Sequence, residues 1–412
     1  MNPRPFQLLL LAGALAAPVA AQPAAVQPAA APPADTPSLA PSSIATPRAG
    51  QDLPSLHVHE VGPEGVLASE HEEPPRWVAW DRVQSISGPA SADAAPYIAI
   101  ADDLWRARTR LERGDIPGAE PLFELHQQAL SGRTGPTPAI EAAGAMRCAL
   151  WRGAWATAVR PMLAYAHAIS AGTQDWWPRP TPKRDEIREI DLGDPMFFDD
   201  KLGLSPAIPP MFLNVPATRV LANEDWTNAA PAGSRAAQLA ALYRLAATQE
   251  GQADSPAPLP DRPSSDEGLA LVWDIVASRS GQPTDRSVAR ARLRERAQRP
   301  GPLWQEIWCK VAIGRSLVRE TERDQKLLGI AQLLEPEARY PREHPYLTGL
   351  AMAEASVQLA ALGDAEGAAR IKYELIEAFP SHPALGWDAI LRVSAAAPAT
   401  AKDQAKDQGG SP

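Results

Sequence analysis

Residues 350–383 read LAMAEASVQLAALGDAEGAARIKYELIEAFPSHP and carry the clearest helical pattern of the chain. Gly363 and Asp364 separate two amphipathic stretches, because this pair favours a turn over a continued helix. Ala368 follows five positions after Gly363, and Pro380 follows twelve positions after that alanine. The spacing predicts a helix–turn–helix unit, which buries its apolar faces by packing on neighbouring units.

The same pattern recurs with a period of 39 residues, which indicates an internal repeat. The pairs at this period are Gly114 and Gly153, Ala119 and Ala158, Gly329 and Ala368, and Pro341 and Pro380. Apolar periodicity predicts helices near 98–113, 138–152, 155–171, 232–248, 266–280, 284–299, 303–319, 324–338, 346–362 and 365–378. The sequence therefore predicts a mainly α-helical fold.

These recurring positions resemble those of the tetratricopeptide (TPR) family, in which a small residue, a turn glycine, an alanine and a closing proline mark each unit. The matching residues are Ala107, Gly114, Ala119, Phe123, Gly153, Ala158, Gly329, Pro341, Ser356, Gly363, Ala368 and Pro380. The family repeat has about 34 residues, so the units in this chain are longer. The resemblance implies an α-solenoid of stacked TPR-like helix pairs, with a concave face that holds a protein or peptide ligand.

Composition and periodicity divide the chain into eight segments. They are a signal peptide (1–21), an Ala/Pro-rich disordered linker (22–54), a small β element (55–88), TPR-like repeats (89–171), an irregular Trp/Pro-rich insertion (172–231), a helical segment (232–300), further TPR-like repeats (301–397) and a disordered tail (398–412). Short β-favouring runs between Gly and Pro clusters predict a three-stranded meander in the β element. We expect it to pack on the first helices, with one tryptophan as its anchor.

The N-terminus has the pattern of a secretory signal. Arg4 precedes the apolar run from Phe6 to Ala17, and small residues end at Ala21, where we expect cleavage. The run is too short to span a bilayer, which needs about 20 residues, and we expect no transmembrane segment elsewhere. The pattern predicts export to the periplasm, the cell envelope or the extracellular space.

Charge and motifs narrow the function. A formal net charge of −9 argues against a nucleic-acid binder, since such proteins usually present a basic face. The sequence has no GxSxG, GxxxxGK[ST], HExxH or CxxCH motif, so we expect no catalytic residues, cofactor or metal. Cys148 and Cys309 are expected to be buried thiols, with a disulfide between them as the alternative.

Two regions are candidates for partner contact. Trp176 and Trp177 lie in the irregular insertion, where a loop is less able than a helix to bury both rings. Arg286, Arg290 and Arg294 belong to the most arginine-rich helix of the chain. An acidic protein partner or an anionic envelope polymer is the class of ligand that such arginines bind.

The favoured function is an exported scaffold or adaptor that mediates protein–protein interaction through a helical groove. The alternative is an envelope polysaccharide-binding protein or enzyme that uses the insertion at 172–231. Deleting that insertion and measuring glycan and protein binding separately would distinguish the two.

Overall fold

Helices form most of the structure, and each packs against the next along the chain. The computed structural model describes residues 42–48, 55–70, 73–171, 197–226, 228–251 and 258–393. Among these residues no helix is both long enough and apolar enough to cross a membrane. The predicted signal peptide, most of the linker, Trp176, Trp177 and the tail lie outside the described residues.

The helices are numbered in chain order from the N-terminal end. They are α1 (Ser91–Ala94), α2 (Ile98–Glu112), α3 (Ile116–Leu130), α4 (Pro136–Trp151), α5 (Trp155–Ala168), α6 (Pro216–Asn223), α7 (Arg235–Gly251), α8 (Glu267–Ala277), α9 (Pro283–Gln298), α10 (Leu303–Leu317), α11 (Arg323–Arg339), α12 (Pro345–Ala361), α13 (Ala365–Ala378) and α14 (Asp388–Leu391).

Three helix pairs share one turn geometry. Gly114, Gly153 and Gly363 follow the ends of α2, α4 and α12 with φ of 78°, 69° and 90°, a region that favours glycine. In each turn the N–H of the next residue donates to the carbonyl oxygen five positions before it, at 2.9–3.0 Å. This arrangement pairs carbonyl groups that the helix end would otherwise leave unpaired. The recurring glycines therefore end the first helix of each pair.

The small residues singled out in the sequence lie where helices meet. Ala107, Ala119, Phe123, Ala158, Ser356 and Ala368 have no exposed surface. The hydroxyl of Ser356 on α12 donates to the carbonyl of Ala368 on α13 at 2.7 Å. Gly329 packs against Val318, where an added Cβ would lie 2.8 Å from the valine side chain. Pro341 and Pro380 differ: neither is buried, and they follow the ends of α11 and α13, so they end helices and do not pack between them.

The β element has five strands, where the sequence predicted three. They are β1 (Ile44–Pro47), β2 (Leu56–Gly62), β3 (Gly65–Ser69), β4 (Arg76–Val78) and β5 (Val83–Ser87), antiparallel in the order β4-β3-β2-β1-β5. Strand β1 lies within the segment predicted to be a disordered linker. It is ordered because β2 and β5 pair with it on both sides, which a local composition argument cannot detect.

The sheet curls so that its two edge strands approach each other. In a flat sheet of five strands, the edge strands β4 and β5 would be about 19 Å apart. The connection Ala79–Arg82 reaches at most about 17 Å when fully extended, and three of its residues form a 3-10 turn. Trp80 in that turn is fully buried, donates from Nε1 to the Gly62 carbonyl at 2.7 Å and stacks on Tyr97. This tryptophan anchors the sheet against the first helices.

Candidate functional site

Part of the predicted insertion is an irregular segment with tight turns, held inside the helices. We call residues 202–213 the inner segment. Its large apolar side chains are all buried, at 5% exposure or less: Leu202, Leu204, Ile208, Met211, Phe212 and Leu213. They join an apolar cluster that runs from Met146 on α4 to Val393 near the last helix. The segment is therefore part of the core.

Side chains from three helices and one helix cap bind the backbone of the inner segment. The carbonyl of Pro206 accepts from Trp308 at 3.0 Å and from His344 at 2.9 Å. The remaining contacts are Tyr243 to the Ile208 carbonyl at 2.5 Å, Tyr346 to the Met211 carbonyl at 2.8 Å, and Arg315 to the Phe212 carbonyl at 2.6 Å. These carbonyls belong to no helix or strand ladder, and buried side-chain donors supply their hydrogen bonds.

A buried ionic cluster positions Arg315 for this contact. Its Nε donates to Glu354 at 2.6 Å, and a second guanidinium nitrogen lies 3.1 Å from Glu250. Arg279 binds both carboxylates at 2.9 Å. Burial alone would raise the pKa of Glu250, but Arg279, Arg315 and Arg319 hold it below its usual value. Since each of the two carboxylates contacts both Arg279 and Arg315, the cluster joins α7, α10 and α12 around the inner segment.

This arrangement changes where a ligand can bind. The sequence predicts a ligand on a helical face, and between α7, α10 and α12 the inner segment already fills the space. Local sequence patterns cannot show this, because Pro206 and His344 are 138 residues apart.

An open groove of about 900 Å³ lies between α3, α4, α5 and α6, apart from the inner segment. Small apolar residues form much of its lining: Ala145, Ala149, Ala156, Pro161, Pro216 and Ala217. Polar side chains surround them: Glu120, Glu124, Gln127, Thr157, Arg160, Arg219, Asn223 and Glu224. Val220 projects beside it with 66% of its surface exposed. The volume is that of a typical ligand or peptide site.

Ion pairs hold several charges of the groove in place. Arg160 of α5 binds Glu224 with an N–O distance of 2.9 Å, which joins α5 to the end of α6. Arg152, just after α4, donates to Glu120 of α3 from Nε at 3.0 Å. Glu124 lines the groove one turn further along α3 and is exposed. The walls are therefore fixed by salt bridges, and carboxylates outnumber guanidinium groups along the lining.

Glu141 is the most unusual residue near the groove. It lies on α4 four and eight positions before Ala145 and Ala149, so the three share one helix face. Only 2% of its surface is exposed, and its Oε1 has no hydrogen-bond partner among the described residues. Burial raises the pKa of Glu141 to about 8, although the nearby Arg160 opposes the shift. The carboxyl is thus mostly neutral at pH 7 in the free protein.

The geometry of the groove suits binding. A groove with an apolar floor and a few polar groups can hold a side chain and orient it. A buried carboxyl without a full set of partners is a common mark of a functional position, because it stabilises nothing in the free fold.

Most of the arginines predicted to contact a partner have internal roles. Arg286 is 7% exposed and binds Glu320 at 3.0 Å, and Arg290 also binds Glu320. Both arginines are held because α9 packs on α10, and Glu320 follows shortly after the end of α10. Arg294 is exposed on the same helix. Arg286 and Arg290 therefore serve mainly to hold α9 against α10. An anion could bind only to the exposed arginines of this row, such as Arg294.

The two cysteines are free and buried. Burial raises the pKa of both thiols to about 12, so neither is a reactive thiolate at neutral pH. Within the described ranges no group of three or more His, Cys, Asp or Glu side chains is arranged to hold a metal ion.

The sequence interpretation overlooked Glu141 and Arg160. A signal for Glu141 was present: it is the single acidic residue of PTPAIEAAGAMRCALW, the sequence of α4. A lone carboxylate in an otherwise apolar, alanine-rich helix is unusual, because such helices are buried all round. Arg160 gave no comparable signal, since its importance depends on the position of α6. Comparisons with protein-family models, with curated proteins and with solved structures found no match to this chain.

Proposed function

We propose that the protein is an exported scaffold that binds a segment of a partner protein in the groove between α3, α4, α5 and α6. The groove itself carries this proposal: it is open, has a fixed wall of salt bridges and is lined by small apolar residues. Most protein-binding surfaces combine such an apolar floor with a polar rim.

The architecture that we propose is a TPR-like solenoid. Three observations support it: consecutive helices pack in chain order, three pairs share one turn, and small residues occupy the helix contacts. The inner segment adds a fourth, because these helices already bind a non-helical stretch of chain by its backbone. Export to the periplasm or cell envelope is proposed from the first 21 residues, which have the secretory pattern.

A peptide selection tests the binding role. Random peptides of about twelve residues displayed on phage, long enough to span a groove of this size, would be selected on the wild-type protein and on Ala217→Trp. This substitution fills the groove from an exposed position. The matched control is Ala291→Trp, an exposed alanine of α9 outside the groove lining. We expect peptides that bind the wild type and the control but not Ala217→Trp. Equal recovery on all three proteins would contradict the proposal.

A further inference from the structure

We propose that a lysine or arginine of the partner segment pairs with Glu224 in the groove, and that Arg160 then turns from Glu224 to the buried Glu141. Binding thereby expels the proton of Glu141, so the groove holds its partner more tightly as the pH rises. This inference rests on the proposed function and adds to it the charge of the partner and a pH dependence.

Glu224 is a carboxylate that a partner can reach. It lines the groove at the end of α6, and 24% of its side chain is exposed. Arg160, which binds it at 2.9 Å, also lines the groove and has 31% of its side chain exposed. The net stabilisation from an ion pair that water reaches in this way is usually small. A cation supplied by a partner can therefore take the place of Arg160.

Arg160 has a second carboxylate close to it. Its Nε donor is buried without a hydrogen-bond partner among the described residues, and so is the Oε1 acceptor of Glu141. Arg160 also opposes the effect of burial on the pKa of Glu141, and an opposite charge acts in this way from about 4–6 Å. The two unpaired atoms are complementary, and a rotation of the arginine side chain brings them together.

Glu224 keeps Arg160 from that second contact in the free protein. Its charge compensates the guanidinium group, and burial then raises the pKa of Glu141 to about 8. When a cation takes Glu224, the charge of Arg160 is left uncompensated and favours the ionised form of Glu141. The carboxyl O–H bond breaks, the proton passes to the solvent, and the carboxylate accepts a hydrogen bond from Arg160. The pKa of Glu141 is therefore lower in the complex, so affinity rises with pH.

Other charged groups around α4 do not replace Arg160 in this role. Helices α2, α3 and α5 and strand β4 pack on α4. Among the charged groups of the described residues on these elements, Arg160 of α5 is the one that shifts the pKa of Glu141. Glu120 and Glu124 of α3 act instead on Cys148, whose pKa they raise.

The charges of the groove favour a cation beside Glu224. Its lining carries three carboxylates and two guanidinium groups: Glu120, Glu124, Glu224, Arg160 and Arg219. Glu124 has no ion pair within the described part of the chain, so a cation finds a second free acidic group in the same groove. An acidic residue of the partner would instead pair with Arg160 and keep Glu141 protonated. The direction of proton exchange therefore reports the charge of the bound residue.

The first experiment needs no partner. Glu224→Gln removes the carboxylate that compensates Arg160, so the pKa of Glu141 should fall from about 8 to about 7 or lower. Carboxyl ¹³C NMR of glutamate-labelled protein would follow this titration, and Glu141→Gln identifies the signal by its loss. Glu377→Gln removes an exposed carboxylate of α13 outside the groove lining and should leave the pKa unchanged. An unchanged pKa in Glu224→Gln would overturn the coupling.

The peptides recovered in the selection provide the second experiment. We expect groove-dependent peptides to share a Lys or Arg. Versions without His and with blocked termini would be titrated by calorimetry in two buffers of different ionisation enthalpy. At about pH 7 the wild-type protein should release about 0.5–0.9 proton per complex, and its affinity should be about fivefold higher or more at about pH 8.5 than at about pH 6.5. Both effects should be lost on Glu141→Gln and with norleucine in place of the shared basic residue.

The outcomes separate the two proposals. If no peptide depends on the groove, the proposed function fails and the contact with Glu224 falls with it. Groove-dependent peptides that share an acidic residue, or that bind without proton release, support the proposed function and overturn this inference. Proton release that persists on Glu141→Gln would also overturn it, because another group would then be the source. Glutamine keeps the size of the side chain and removes a buried titratable group, so Glu141→Gln is expected to fold.

Discussion

Glu141 illustrates how a fold can hold one titratable residue at the expense of stability. Its carboxyl is buried on α4, and its Oε1 has no hydrogen-bond partner in the described part of the chain. Glutamine at this position would avoid the cost of keeping a titratable group in apolar surroundings.

Replacing Glu141 by glutamine should stabilise the protein at neutral pH. The pKa of Glu141 is raised from 4.5 to about 8 in the fold. Between these two pH values the folded protein holds a proton that the unfolded chain releases, so the free energy of unfolding falls as the pH rises from 4.5 to 8. We expect Glu141→Gln to gain about 2–4 kcal/mol at about pH 7.5 and little at about pH 4. Urea unfolding of both proteins at the two pH values would measure this. A gain independent of pH would show that ionisation is not the cause.

Two buried histidines should make the fold sensitive to acid. Burial lowers the pKa of His344 and His382 to about 4, although each is bonded to a backbone carbonyl. Both imidazoles are neutral in the fold, whereas below about pH 6.5 the unfolded chain binds a proton at each of them. The stability that the fold has above pH 6.5 is therefore lost as the pH falls toward 4.

The loss should be on the order of 2–3 kcal/mol per histidine. His382 accepts from the Ala384 amide through Nδ1, a bond that asparagine can also make. Glu141 gains stability over part of the same pH range, so we expect His382→Asn to remove at least half of the fall in melting temperature between about pH 7 and about pH 4.5. The comparison is made within each protein, so any general destabilisation by the substitution cancels. An unchanged fall would exclude His382 as a source of the acid sensitivity.

At the scale of the helix, contacts between partners in a pair depend on small residues. Ala368 of α13 is fully buried against α12, and its carbonyl accepts from Ser356. A long charged side chain at this position would force the two helices apart and bury an unpaired charge.

We therefore expect Ala368→Arg to lower the free energy of unfolding by about 3–5 kcal/mol. Ala361→Arg is the matched control, since Ala361 is exposed at the end of α12 and should tolerate the same side chain. Chemical denaturation of the two variants would compare them. Similar stability in both would mean that α13 does not pack on α12 through Ala368.

Sequence periodicity located most of the helices well, but it missed α6 and gave no sign that the non-helical parts are ordered. Helix α13 spans Ala365–Ala378, as the sequence predicts, because a Gly-Asp turn and the apolar repeat are local signals. Strand β1 and the inner segment were read as linker and irregular insertion, since their order comes from partners distant in sequence. Most of the groove lining from α3 to α5 lies in segments whose helical periodicity the sequence shows. The residues of α6 could not be assigned to the groove in this way, because they line it only where α6 packs back against α5.

At the scale of the whole molecule, one core joins α4 and α5 to the later helices, while the sheet and α2–α3 pack around two smaller apolar clusters. The apolar cluster extends from Met146 to Val393, and Trp155 of α5 stacks on Tyr346 of α12 with ring centroids 4.7 Å apart. Helices that share one core with a common internal segment cannot unfold independently.

Arg315→Met should therefore destabilise α5 as well as α10. The substitution removes the donor to Phe212 and leaves Glu250 and Glu354 short of a partner, which should cost about 3–5 kcal/mol. Hydrogen exchange by mass spectrometry should show faster exchange in both helices to a similar extent. Arg370→Met, an exposed position on α13, serves as the control. Unchanged exchange in α5 would show that the two regions unfold separately.

The inner segment also determines the order in which the chain can fold. It is synthesised before the side chains that bind it, and its contacts to Trp308, Arg315, His344 and Tyr346 close loops of 102 to 138 residues. Loops of this length form late, because their closure entropy must be met before the contacts stabilise anything. The first helix pairs can assemble during synthesis, but the central core closes only after α12 has left the ribosome. The slow step in refolding should accordingly be the capture of the inner segment.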